Sequence, residues 1–305
     1  MPKYYVGDFI RETRERRGYT QEELCYGICS VPSLSRIENG VQVPGSRRLD
    51  ALLQRLGCGN QVFNEFVSKE DIVLYKLVQN IENKIIKRDY DELEKLILKL
   101  EDIVKDKEEF EKQYLIFAKA IVINGKEKDK EKALKMYIDA VHITLPEFNG
   151  YTPLEKNLLT YDELAIINAI ASLYSEIGKI EKALTLGFWI KNYMETRFME
   201  DSQKKEKYPM VLFNLTNWLG KRKRYEDALK IANSGIKFCT ETGSLRAFPF
   251  FIFNKACALA ELNNKEEAER FFTQAAIIFE SMDKITHKEK TLTWCKEQYN
   301  IQLKF

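Results

Sequence analysis

Thr20-Gln21-Glu22-Glu23-Leu24-Cys25 and, shortly after, Ser33-Leu34-Ser35-Arg36-Ile37-Glu38-Asn39-Gly40 decide how the amino end of this chain folds. Thr20 followed by Glu23 forms a capping box, so a helix starts at Gln21. Ser30 caps the next helix, with Pro32 in a first turn where a missing N–H costs nothing. Leu34 and Ile37 lie three apart and face inward, while Pro32, Ser33 and Arg36 share the opposite face. Gly40 ends that helix. Upstream, Phe9, Ile10 and the stem of Arg14 predict a first helix ending at Gly18, and downstream Ser46 to Leu56 predicts a fourth, closed by Gly57. Two short helices joined by a tight turn are the arrangement that sets a helix into the DNA major groove.

The remaining chain is long and differently organised. With 305 residues, 45% hydrophobic and 12% aromatic, it has room for two domains and a large core. Gly 14 and Pro 7 are few for this length and favour long helices. Lys+Arg 48 against Asp+Glu 46 leaves a net charge of +2, so contact with nucleic acid must come from a local patch. No stretch has the apolar length of a membrane span or a signal core, which predicts a cytoplasmic protein with no membrane association. The cysteines Cys25, Cys29, Cys58, Cys239, Cys257 and Cys295 match no zinc spacing and read as small buried side chains in a reducing compartment. The sequence shows no P-loop, nucleophile elbow or metal signature, and only His142 and His287 are available for acid–base chemistry. No catalytic residue, metal or cofactor is expected.

From Glu65 onward a helix-turn-helix unit recurs every 40 to 50 residues or so. A similar phrase opens each second helix: Arg88-Asp89-Tyr90-Asp91-Glu92-Leu93, Asp129-Lys130-Glu131-Lys132-Ala133-Leu134, Gly178-Lys179-Ile180-Glu181-Lys182-Ala183-Leu184, Lys223-Arg224-Tyr225-Glu226-Asp227-Ala228-Leu229 and Asn264-Lys265-Glu266-Glu267-Ala268. The small residues Ala133, Ala183, Ala228 and Ala268 suit a close helix crossing, with Ala171 and Ala256 facing two of them from twelve positions earlier. The run Lys204-Lys205-Glu206-Lys207 reads as a solvated loop.

Two resemblances follow. The head resembles the Xre-type helix-turn-helix of the lambda and 434 repressors, which implies that Gln21 donates to a phosphate. It also implies that Val31, Pro32, Ser33 and Arg36 stand at base edges beside the cap Ser30, and that Arg14 pairs with Glu38. Arg36 alone can address guanine O6 and N7 together, worth roughly 1–3 kcal/mol of discrimination. Val31 and Pro32 replace a polar pair common in that family, which shifts reading toward Arg36, methyl contacts and DNA shape. The rest, about residues 70 to 285, resembles five tetratricopeptide units, closed by a helix near Thr286 to Leu303.

In such repeats, positions fifteen, eleven and eight before the marker alanine line the concave wall. They fall on Asn168, Ser172 and Ser175; on Phe213, Asn217 and Gly220, with Asn214 adjacent; and on Phe253, Cys257 and Ala260, with Asn254 adjacent. Asparagine presents an acceptor and two donors, matching an extended peptide backbone without reading its sequence. Phe213, Phe250 and Phe253 supply apolar pockets, and Lys87 and Arg88 could hold a carboxylate. The bland alternatives are asparagines bonding between helices, phenylalanines in the core and a solvated basic turn.

The two halves together resemble the RNPP regulators (the Rgg, NprR, PlcR and PrgX group), with Gly27-Ile28-Cys29-Ser30 suiting the group. The segment Asn168-Ala169-Ile170-Ala171-Ser172-Leu173-Tyr174-Ser175-Glu176-Ile177-Gly178 looks most like the PlcR branch. The expected fold is all-α: a helix-turn-helix domain over 1–60, a linker helix over 61–77 (near Val62 to Leu77) and a right-handed superhelix of about five helix pairs with a capping helix over 78–305. The resemblance implies a homodimeric quorum-sensing transcription regulator that binds double-stranded DNA at a palindromic operator and is controlled by a short linear signalling peptide. The family's peptide-gripping asparagines fall on Asn168 and Asn214. The alternative keeps the fold and gives the repeats a folded protein partner.

Overall fold

The computed structural model describes residues 6–58, 69–105 and 109–303, and among them the secondary structure is helical throughout, with no strand. The head comprises α1 (Val6–Arg16), α2 (Gln21–Cys25), α3 (Val31–Glu38) and α4 (Ser46–Arg55). Its caps are those the sequence predicts. Glu23 N donates to Thr20 Oγ1 at 3.1 Å, Thr20 N donates to Glu23 Oε2 at 2.7 Å, and Ser33 N donates to Ser30 Oγ at 3.3 Å. Ile10, Leu24, Leu34, Ile37, Leu52 and Leu56 close a core from which water is excluded.

Five helix pairs follow: α5 (Lys69–Lys87) with α6 (Tyr90–Val104), α7 (Glu109–Val122) with α8 (Lys130–His142), α9 (Tyr161–Glu176) with α10 (Ile180–Thr196), α11 (Asp201–Lys221) with α12 (Tyr225–Thr242), and α13 (Phe248–Glu261) with α14 (Lys265–Ser281). The helix α15 (Ile285–Tyr299) closes the series. It stops short of the expected Leu303 because Asn300 adopts a left-handed conformation, φ 51°, after which Ile301 and Leu303 pack back onto the last pair. Residues 61–68 of the expected linker helix lie outside the described residues, and its remainder forms the start of α5.

The recurring phrase is the chemistry of one turn. Arg88, Lys128, Gly178, Lys223, Asn263 and Asp283 each take a left-handed φ between 55° and 80°. After five of these the next backbone N–H returns to the helix just ended: Asp89 to Lys84 O, Lys179 to Tyr174 O, Arg224 to Leu219 O, Asn264 to Leu259 O and Lys284 to Phe279 O. Asp89, Asp129 and Asn264 then cap the second helix of their pairs. Ala133, Ala183, Ala228 and Ala268 are buried, as are Ala171 and Ala256.

One expectation is corrected. Lys204 to Lys207 is not a loop but forms the first turns of α11, which carries Pro209 inside it. Buried Tyr208, Val211 and Leu212 anchor that helix, and its charged first turns stand on the wet face. The chain forms two compact units, residues 1–173 with 196–200 and residues 174–195 with 201–305. The head packs within the first unit.

Candidate DNA-reading face and peptide wall

Burial on one side of α3 forces exposure on the other. Leu34, Ile37 and Glu38 are buried, while Val31, Pro32 and Arg36 are exposed and Ser33 is half-buried. Ser33 Oγ shares a hydrogen bond of 3.3 Å with Gln42 Oε1. The Arg36 guanidinium has no side-chain hydrogen bond or ion pair among the described residues, so all five donors remain available. The expected pair is present beneath this face. Arg14 Nε donates to Glu38 Oε1 at 2.7 Å and Arg14 Nη2 donates to Glu38 Oε2 at 3.0 Å, a two-pronged contact that raises the Arg14 pKa above its ordinary value. Gln21 Nε2 also donates to Glu38 Oε2, at 2.7 Å, which leaves its second amide hydrogen without a partner among the described residues.

The opposite side of the head is fastened down. Arg55, fully buried, donates from Nη1 to Leu24 O and Tyr26 O and from Nη2 to Glu163 Oε1 at 3.0 Å. Glu163 is equally buried and is held by a second capping box: Thr160 N donates to its Oε2 at 2.6 Å, and its own N–H donates to Thr160 Oγ1 at 3.1 Å. Tyr161 N donates to Gln54 Oε1 at 2.7 Å. At Gly27 and Gly57 any side chain would collide with backbone, Thr144 O at 2.0 Å and Phe198 at 2.5 Å respectively. The Arg17 guanidinium lies 4.5 Å over the Phe198 ring. The head therefore sits directly on the start of α9 and leaves the α3 face open. Sequence reasoning missed this contact: Arg55 reads as an ordinary cation at a helix end and Glu163 as an ordinary first-turn acid.

Asn168, in the first unit, stands half-buried on α9. The other expected peptide-wall residues belong to the second unit. Phe213, Asn214 and Asn217 are half-buried on α11, as are Phe250, Phe253 and Asn254 on α13. Asn254 Nδ2 donates to Thr216 Oγ1 at 2.5 Å and to Asn217 Oδ1 at 3.3 Å, while Thr216 Oγ1 donates onward to Phe213 O at 2.7 Å. Both Asn254 hydrogens are thus spent within the wall. Its Oδ1 and the Nδ2 of Asn217 have no partner among the described residues, leaving one acceptor beside one donor. The phenylalanines serve the core as well: Phe250 meets Phe213 at 5.7 Å and Phe279 at 5.0 Å, edge to face, and Phe253 meets Phe272 at 5.6 Å. Lys87, the last residue of α5, and Arg88, in the turn that follows it, are exposed. Of the cysteines, Cys25, Cys239 and Cys295 are buried and the other three half-buried. Among the described residues no helix is long and apolar enough to cross a membrane.

Residues 6–66 match the family model described as a helix-turn-helix domain. No curated protein matches the chain. Among solved structures, Bacillus thuringiensis PlcR in complex with the peptide PapR7 and DNA is similar at 21% identity, covering 94% of this chain and 98% of that one with a TM-score of 0.62. The apo form of the same protein gives 0.60 at the same identity and coverage. Apo ComR, the competence regulator of Streptococcus vestibularis, is similar at 16% identity over 96% of this chain and 97% of its own, with a TM-score of 0.54. Residues 6–66 are a helix-turn-helix domain, on a chain that shares the fold of PlcR and ComR over nearly its whole length.

Proposed function

We propose that the chain is a cytoplasmic, homodimeric transcription regulator of the RNPP group, most like its PlcR branch, whose grip on DNA is controlled by a short signalling peptide. Arg36 reads guanine in the major groove, with Ser33, Pro32 and Val31 contacting neighbouring base edges or methyl groups. Gln21 and the Ser30 end of α3 position the backbone. Two heads in a dimer address half-sites about one helical turn, roughly 34 Å, apart or a multiple of it. The peptide lies against Asn168, Asn214, Asn217 and Asn254, with apolar side chains against Phe213, Phe250 and Phe253. The protein acts by binding, without catalysis, cofactor or metal.

The observation that carries this reading is the Arg55–Glu163 pair. It fastens the DNA-reading head to α9, the helix that also bears Asn168 one and a half turns further on. A peptide that shifts α9 acts on the head through contiguous packed atoms. PlcR, the similar protein, is known in complex with a peptide and DNA together.

The test separates the two sites. Arg36→Ala abolishes operator binding in a gel-shift assay and leaves peptide affinity intact, whereas Asn168→Ala or Asn214→Ala weakens peptide binding in calorimetry and leaves the fold intact. Normal operator binding by the arginine variant, or unchanged peptide affinity in both asparagine variants, rejects the assignment.

A further inference from the structure

The helix α11 runs into four consecutive basic residues, Lys221-Arg222-Lys223-Arg224. Two of them are neutralised: Arg222 Nε meets Glu181 Oε1 at 2.6 Å, and Arg224 Nη2 meets Asp227 Oδ2 at 2.9 Å. Lys223 is the exposed left-handed turn residue. Lys221 is exposed as well, but it differs from the other three in what holds its ammonium. Its Nζ donates to Ser175 Oγ at 2.9 Å, across 46 positions of chain, and Ser175 is only 5% exposed. Among the described residues no carboxylate pairs with Lys221.

A lysine ammonium ordinarily moves freely in water at the end of a flexible stem. Here a buried hydroxyl fixes it, while two of its three N–H bonds and its whole charge remain unspent. Its place on the helix is equally specific. Phe213, Asn217 and Lys221 recur every fourth residue and share one face of α11, in the order apolar, amide, cation. The amide in the middle belongs to the Asn217–Asn254 pair, whose unused donor and acceptor match the C=O and N–H of one peptide unit. The carbonyl end of α11 opposes an anion with roughly half a charge. The full, unpaired charge of Lys221 outweighs it.

We infer that Lys221 anchors a carboxylate of the peptide whose backbone Asn217 and Asn254 hold, an assignment that rests on the peptide-receptor reading above. One helical turn, about 5.4 Å, separates Asn217 from Lys221, and an extended chain advances about 3.3–3.6 Å per residue. The carboxylate therefore lies within two residues of the gripped amide. A terminal carboxylate so placed fixes the ligand's direction, its C-terminus toward Lys221 and its apolar side chains toward Phe213.

The same charge can come from the C-terminus or from an acidic side chain, and the experiment separates the two. Full-length protein is incubated with a randomised synthetic heptapeptide mixture bearing free C-termini, and separately with the same mixture as C-terminal amides. Retained peptides are quantified by mass spectrometry for the wild type, Lys221→Met and Lys223→Met. The wild type and Lys223→Met retain about tenfold more of the free-acid mixture than of the amides, and Lys221→Met loses that preference with an unchanged melting temperature. Equal retention of both mixtures, with enrichment of Asp or Glu that vanishes in Lys221→Met, supports the anchor and assigns it to an acidic side chain. Identical retention by Lys221→Met and wild type overturns the anchor while leaving the receptor reading intact. Retention of nothing from either mixture by the wild type overturns both.

Discussion

Arg36 and Glu38 stand two positions apart on α3 and do opposite work. Arg36 is exposed and has no side-chain partner among the described residues, and Arg36→Ala removes its guanidinium fork from the proposed reading face. In competition gel shifts this costs about 1–3 kcal/mol of discrimination at one base pair. Unchanged sequence preference would place the reading elsewhere. Glu38 is buried beneath three donors, two from Arg14 and one from Gln21. Glu38→Ala strands the Arg14 charge and lowers unfolding stability by about 3–5 kcal/mol in urea, and a loss below 1 kcal/mol would contradict the assignment. The sequence predicts the Arg14–Glu38 pair through its family resemblance. It does not reveal that Gln21 joins the pair or that Asn254 spends both hydrogens inside the wall, since these depend on side chains meeting across helices. Cys239 and Cys295 are buried and Cys257 is half-buried, and all three lose hydration on folding. Burial pushes Cys239 up to about 11 and Cys257 and Cys295 up to about 12, from an ordinary 9. Each thiol holds its proton more tightly folded than unfolded, so its contribution is complete below about pH 9 and is lost as pH rises toward 12. Melting temperature should fall over that range, and Cys257→Ala should flatten the slope; an identical slope would reject burial as the cause.

At the scale of the element, α9 decides most. Its amino end carries the capping box of Thr160 and Glu163, and Glu163 then receives Arg55 from the reading head. Arg55→Met leaves a buried carboxylate without its counter-charge, held only by Thr160 N, and costs about 3–5 kcal/mol. Combining it with Glu163→Gln removes that charge and keeps an acceptor for Thr160 N, so the double variant is more stable than the single one. Urea unfolding of the variants checks the order, and a double variant less stable than Arg55→Met would contradict it. This contact was illegible in the sequence because 108 positions separate its partners and each has an ordinary local explanation. The helices themselves were legible. Capping boxes, small residues at crossings and the left-handed turn residue are local signals, and local chemistry fixes each turn. The charged run at Lys204 to Lys207 misled for the complementary reason: composition suggested solvent, which is correct for one face of α11, but the apolar residues that hold the helix follow four positions later.

For the whole molecule, a net charge of +2 gives no general attraction to DNA, so on the proposed reading affinity depends on how two heads are held for two half-sites. The head rests on α9 through buried groups, and a peptide bound as proposed against that helix has a physical route to it. The size of the effect is bounded by the peptide's differential affinity for the two arrangements, typically about 1–3 kcal/mol. The most direct measurement is operator affinity of the full-length protein at fixed salt, with and without saturating peptide recovered from the free-acid mixture, together with the reciprocal titration. The account predicts a change of about 5- to 150-fold, equal in both directions, and reduced toward unity in the protein carrying Arg55→Met and Glu163→Gln. Operator affinity that is the same with and without bound peptide would contradict it.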